Sequence, residues 1–198
     1  GVFHPFPEAA PALGRILAEA GFAPRVTFQL GEWLDWIEAD PGALLVPYAL
    51  RWSMSQHEKY APYRGEWALV VPQEARQRIA DHVARGAGLL GVHTASICFD
   101  DWPGWGEVLG GAWEWGRSHH PPLGPVRAIL DPAHPLADGL EDFEVVDESY
   151  AALRLQPEIE VFGWSQALAA DVPRQPALWT HRYSAGRIVY DSLGHDVA

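Results

Sequence analysis

The sequence predicts an α/β fold with a mostly parallel sheet, and three observations carry that expectation. An amphipathic helix signal from Pro72 closes at Gly86, and the apolar run Gly86-Ala87-Gly88-Leu89-Leu90-Gly91-Val92 comes directly after it. A similar order of helix, glycine and short apolar run stands upstream, where a helical stretch stops at Gly21. Alternating helices and buried strands make parallel sheets with helices on both faces. Third, polar residues stand where apolar segments end: His93, then Asp147-Glu148-Ser149-Tyr150, then Leu193-Gly194-His195-Asp196. Ligand crevices of open parallel sheets lie outside the carboxyl ends of the strands, so these residues predict one shared pocket.

The elements come in order. Leu13, Ile16, Leu17 and Ala20 recur at helical spacing and predict the first helix. Arg25 to Leu30 reads as a strand, Glu32 to Glu38 as a short helix, and Ala43 to Tyr48 as a second strand. Ala75, Ile79 and Val83 line one face of the helix that begins at Pro72, and Gly86 supplies its C-terminal glycine. Asp100 to Leu109 reads as a helix, succeeded by a Trp-, Gly-, His- and Pro-rich loop to Gly124. Strands are expected at Val126 to Leu130, Ile159 to Trp164, Ala177 to Arg182 and Arg187 to Ser192. The last two are joined by a hairpin-like turn at Tyr183-Ser184-Ala185-Gly186. No composition shift divides the chain, so residues 1–198 are expected to form a single domain. A doubly wound sheet opens with a strand and closes with a helix. This chain shows neither, which predicts that its first strand and C-terminal helix are missing.

Composition narrows the function. The 198 residues carry 14 basic and 26 acidic side chains, a net charge of -12. That charge repels phosphate backbones and anionic lipid, so neither nucleic acid nor a membrane is expected as partner. The lone Cys98 allows no internal disulfide, and a cytoplasmic setting is expected. No apolar stretch approaches the roughly 20 residues of a spanning helix. Ten tryptophans are rich for this length. Their faces suit sugars, though core packing is the commoner use of a tryptophan. For the Trp102/Trp105 and Trp113/Trp115 cluster both readings stay open.

In sequence order, Gly1-Val2-Phe3-His4-Pro5-Phe6, Gly88 to Ser96, Asp101-Trp102-Pro103, Leu109-Gly110-Gly111 and His119-His120-Pro121 form a recognisable series. It continues through Asp131 to Pro135, Asp147 to Tyr150, Pro176 to Trp179 and Gly186 to Asp196. Together they resemble the ThuA-like (trehalose utilisation) family. The resemblance implies a flavodoxin-like three-layer sandwich of the class I glutamine amidotransferase type. It also implies a role in the metabolism of trehalose, other disaccharides or their keto derivatives, with a small carbohydrate as partner, hydrolase chemistry among the possibilities, and a homo-oligomer compatible with the pattern.

His93 is the residue on which most rests. In the related amidotransferases the turn after this strand holds a nucleophilic cysteine. Here the residue is histidine, able to act as general base, general acid or metal ligand. Glu148 and His195 complete the expected catalytic set. A carboxylate beside a histidine orients it or takes its proton, although a solvated acidic loop is the blander alternative for Glu148. The expected substrate-binding set is His4, Trp52, Ser96, Trp102, Trp105, His120, Tyr150 and Trp179. Adjacent side chains of an extended segment point opposite ways, so at most one of His119 and His120 faces the pocket. No short His-x-x-x-His spacing exists. A divalent metal such as zinc therefore depends on tertiary convergence, with either of those two joining His4, His93 or His195. The cofactor stays open, and no metal ligand is assigned. There is no Gly-x-Ser-x-Gly elbow and no phosphate-cradling glycine loop. Histidine-centred acid–base or metal-assisted sugar chemistry is thus expected first. The alternatives are a non-catalytic sugar-binding or scaffold module and a hydrolase using Cys98.

Overall fold

The computed structural model describes residues 1–169 and 173–197. Its largest element is a six-stranded mixed sheet in the order β1-β8-β7-β6-β3-β4. The strands are β1 (Gly88–Val92), β3 (Gly124–Leu130), β4 (Phe143–Asp147), β6 (Glu160–Ala167), β7 (Gln175–Tyr183) and β8 (Gly186–Asp191). Two further strands, β2 (Gly111–Ala112) and β5 (Arg154–Leu155), pair with each other. The helices are α1 (Phe6–Glu19), α2 (Leu30–Ala39), α3 (Ala61–Trp67), α4 (Gln73–Ala84) and α5 (Gly104–Leu109).

The α/β class holds, but the strand directions correct the expectation of a mostly parallel sheet. Among the named strands only β1 and β8 pair in parallel, and the other pairs of this sheet are antiparallel. A parallel crossover needs a dozen or more residues, usually a helix. After α5 the described chain has no α-helix to make one. The Tyr183–Gly186 turn closes the expected hairpin, with those two residues in register. The helix–strand alternation of the first half does not continue into the second, and a flavodoxin-like sandwich does not result from it.

Where the first-half pattern holds, it holds closely. Ala75, Ile79 and Val83 are the buried face of α4, joined by His82. The helix packs on β8. The Ala43–Tyr48 run lies extended beside β1 and runs parallel to it. Leu45 N–H donates to the Gly88 carbonyl at 3.0 Å, and Leu90 N–H donates to the Leu45 carbonyl at 2.8 Å. The strand expected at Arg25–Leu30 is absent. Residues 22–29 are irregular, with Val26 and Phe28 exposed. They face no strand that would satisfy their backbone groups, and without a partner β-propensity has nothing to act on. In α1 the buried residues are Phe6, Ala9 and Gly14, while Ile16 is 62% exposed.

The core fills the β1–β8–β7 end. Trp179 is fully buried and stacks on Tyr190 with ring centroids 4.1 Å apart. Its indole N–H donates to the Leu109 carbonyl at 3.0 Å. Trp105 donates to the Ala95 carbonyl at 2.8 Å, and Trp52 packs edge-on against Tyr60. Gly110 ends α5 at φ +87°, the left-handed conformation that glycine adopts without strain. No described helix is long and apolar enough to cross a membrane.

Candidate functional site

The strand directions place the candidate residues on one rim. β1 and β8 are parallel, and four antiparallel steps from β8 through β7, β6 and β3 leave β4 pointing the same way. The segments after β1, β8 and β4 therefore emerge together. They carry His93, His195 and Glu148. In a flat sheet four spacings of about 4.8 Å would separate β8 from β4. Instead Gly194 N–H donates to Asp147 Oδ2 at 2.7 Å, so the sheet curls and closes the rim on itself.

His93 begins a 3₁₀ turn directly after β1, with φ +49°. A non-glycine residue in this region is strained, and such strain concentrates where a side chain must be aimed. Its ring is completely buried. The contact of Nδ1 with the Ser192 carbonyl at 2.7 Å settles the tautomer, because a carbonyl only accepts. Nδ1 carries the hydrogen, so in the neutral ring the lone pair is at Nε2. Facing Nε2 are His4 Nε2 at 3.0 Å, the Tyr150 hydroxyl at 3.1 Å and Glu148 Oε2 at 3.6 Å. The backbone before His4 is also left-handed, with Phe3 at φ +74°.

Glu148 is the hub. Its Oε2 lies 3.8 Å from His4 Nε2, and its Oε1 lies 3.5 Å from His120 Nδ1 and 3.8 Å from His195 Nε2. Burial alone raises its carboxyl, but His4 and His93 beside it, with the charge available at His120, hold it well below the usual carboxylate range. It is an anion at neutral pH. Burial lowers the pKa of His4 against the pull of Glu148, which favours the neutral ring.

Asp147 builds the frame. It accepts the Glu148 N–H at 2.7 Å through Oδ1, while its Oδ2 accepts Gly194 N–H and, at 3.4 Å, His195 N–H. Gly194 holds φ +115° to make this approach. The Tyr48 hydroxyl donates to the Gly194 carbonyl from the other side. Tyr190 donates to the His93 carbonyl at 2.7 Å. These supports were not among the expected residues. The Asp147-Glu148 pair carried the signal: next to a residue in the pocket, an acid at the end of a strand is placed to hold the loop beside it.

Of the expected set, His4, His93, His120, Tyr150, Glu148 and His195 converge. His120 is the member of its pair that turns inward, while His119 Nδ1 contacts the Arg117 carbonyl in the exposed part of the loop. Tyr150 is buried with its ring stacked on His93 at 4.8 Å, so it positions that imidazole. Ser96 is buried, its hydroxyl 2.8 Å from the Tyr190 hydroxyl oxygen. The tryptophan expectations need correction. Trp52, Trp105 and Trp179 are no more than 2% exposed, and a sugar platform needs an open ring face. Trp102 packs on Phe99 and Trp105. The half-buried indole at the cluster is Trp113, 5.4 Å from Tyr150 and 6.0 Å from His120 between ring centroids. Separately, Asp147 and Ser149 line an apolar pocket of about 250 Å³ with Pro121 to Val126, and Glu148 does not line it.

Cys98 is buried, its thiol donating to the Ala49 carbonyl at 2.8 Å, and burial pushes its pKa up to about 12. A thiol is a poor nucleophile in that state. Asp191, at the end of β8, is the more consequential buried acid. Burial pushes its pKa up to about 6, Asp147 adds to the rise, and the Leu193 N–H and His93 oppose it. A carboxyl raised above its unfolded value of 3.8 binds its proton more tightly when folded. Its stabilising contribution is therefore full below pH 4 and lost as pH rises through about 6. The difference corresponds to about 3 kcal/mol. Asp191→Asn is expected to match the parent near pH 4 and exceed its stability by up to that amount at pH 7.5. Urea unfolding of both proteins across this range measures the gap, and a gap independent of pH would refute the assignment.

A family model described as ThuA, trehalose utilisation, matches residues 53–198. No curated protein matches the chain. Among solved structures, a ThuA-like protein from Parabacteroides merdae aligns with TM-score 0.70 and 18% identity, over 99% of this chain and 77% of that one. A ThuA-like protein from Bacteroides uniformis gives TM-score 0.65 and 15% identity, over 94% and 74% respectively. A cytoplasmic protein from Salmonella typhimurium LT2 gives 0.53 and 16%, over 78% and 62%. At these identities the structures share a fold with this chain.

Proposed function

Because the chain belongs to the ThuA, trehalose utilisation, family, we propose that its histidine–carboxylate cluster transforms a carbohydrate, a disaccharide or keto derivative, by proton transfer. One observation supports this above the rest. Glu148 stands 3.5–3.8 Å from ring nitrogens of four histidines that come from four separate stretches of chain. Well-packed apolar side chains of similar volume stabilise a fold as well as a buried charge cluster does, so stability alone does not call for such a gathering. Positioned imidazoles, by contrast, move protons near neutral pH.

Exposure supports a division of roles within this reading. His93 is sealed beneath His4 and Tyr150, so it orients and polarises the cluster. His195 and His120 stand at the rim, with side chains 15% and 36% exposed, and exchange protons with the sugar. Trp113 supplies an aromatic wall beside them. The 198 residues act as one domain in this reading, with a small carbohydrate as the partner.

The test is turnover of trehalose, related disaccharides and their keto derivatives, monitored by chromatography of the products. His195→Ala is expected to lower turnover at least about 100-fold, the scale of a lost acid–base group. Its melting temperature should stay near the parent's, because the side chain reaches solvent. No turnover of any sugar by the parent, or sugar affinity without turnover that survives His195→Ala, overturns the proposal.

A further inference from the structure

We propose that His4 Nε2, His93 Nε2 and Glu148 Oε2 form a binding site for one divalent metal ion of the zinc class, with an open coordination position. The inference rests on the location of the cluster and not on the identity of any sugar. The three atoms lie 3.0, 3.6 and 3.8 Å apart. Metal–nitrogen and metal–oxygen bonds of about 2.0–2.2 Å at tetrahedral angles set ligand atoms about 3.3–3.6 Å from one another. An ion over this triangle therefore meets all three with shifts of a few tenths of an ångström. Among the described residues this is the one group of side chains that meets the geometric requirement for a metal.

Three further features point to an ion. The His93 Nδ1–H is anchored on a backbone carbonyl, the outer contact that fixes the tautomer of ligating histidines and directs Nε2 to the metal. His195 shows the same device, with Nδ1 3.4 Å from Asp196 Oδ2 and Nε2 turned towards Glu148. Finally, His4 Nδ1 is buried without a hydrogen-bond partner, so that ring gains little from its burial unless Nε2 has a strong one. Two imidazoles and a carboxylate with a vacant position are a common catalytic donor set, seen with zinc and with non-haem iron. Such an ion polarises a carbonyl or hydroxyl oxygen of a bound substrate. His195 and His120, at the second carboxylate oxygen, stand beside it to move protons.

The experiment uses the whole chain without a polyhistidine tag, stripped by chelator and dialysed against Zn(II), then Co(II). One equivalent of zinc is expected to be retained and to raise the melting temperature, because a ligand that binds only the folded state stabilises it. Co(II) should give the visible absorption of a low-coordinate nitrogen–oxygen site. His4→Ala and Glu148→Gln are each expected to weaken binding at least about 10-fold, while His57→Ala leaves it unchanged. His4 sits outside the regular elements and the Gln variant keeps the shape, so circular dichroism should show both folded. No retention at 100-fold molar excess of zinc, or equal retention by the parent and both variants, overturns the site. Sugar turnover by a protein that retains no zinc overturns it while sparing the proposed function. One bound zinc with no turnover of any sugar does the reverse.

Discussion

Glu148→Gln should leave the fold intact and lower sugar turnover by about 10²–10⁴-fold, the range spanned by a lost proton-transfer group. The substitution keeps the shape of the side chain and removes its charge. Four imidazoles then face a neutral amide where they faced an anion, at separations of 3.5–3.8 Å. The side chain is only 12% exposed, so solvent does little to screen those interactions. Stability should fall in part at neutral pH, because a carboxyl held below its usual range contributes as the anion to the folded state; two features limit the loss. The amide escapes the desolvation that the carboxylate suffers, and the backbone bond from the Glu148 N–H to Asp147 does not involve the side chain. Steady-state kinetics and a thermal melt of the same preparation separate the two effects. Full turnover in the variant would show that the carboxylate is not part of the chemistry. A melting temperature collapsing together with turnover would make its role structural.

Much of this site was legible in the sequence because strand ends leave local marks. The run Gly88–Val92 announces a buried strand, and the next residue of the chain must emerge at the tip of that strand, hence His93. The same reasoning reaches Glu148 after β4 and His195 after β8. It does not require the sheet to be parallel, only that each strand end on the same rim, and β4 does so through antiparallel neighbours. The convergence of these residues can therefore be anticipated even where the strand directions are misjudged. Direction depends on connections, and the one that left a local mark was the short turn at Tyr183–Gly186, read as a hairpin and found as one. The strand expected at Arg25–Leu30 failed for a related reason: local propensity cannot supply a neighbour. His119 and His120 illustrate the limit in a single dipeptide. Alternation states that they diverge, but which one turns inward is decided by where Ala151 pairs with the His119 backbone.

The tryptophans test a different kind of inference, from residue type to role. Trp179→Ala is expected to destabilise the protein by about 3–5 kcal/mol, as emptying a buried aromatic site does. The ring has no exposed surface, covers Tyr190 at 4.1 Å and packs over Gly111, where even a methyl group would collide with it. The Leu109 carbonyl also loses its indole donor, and an unpaired buried acceptor adds about 1–3 kcal/mol if no water replaces it. A loss on that scale is a large share of the stability of an ordinary domain. The damage should also reach the site, because Tyr190 holds the His93 carbonyl and the Ser96 hydroxyl. Trp179→Phe, which keeps a ring and gives up only the N–H, should recover most of the stability. Trp113→Ala offers the opposite expectation: a half-buried ring beside His120 and Tyr150, whose removal should weaken sugar binding more than folding. Urea unfolding and sugar titrations on the three variants compare the two roles. If Trp179→Ala keeps the parent's unfolding midpoint and loses sugar affinity, the buried ring is a ligand contact after all. If it unfolds at much lower urea while Trp113→Ala does not, ring exposure rather than tryptophan content is what marks the sugar-facing residue in this chain.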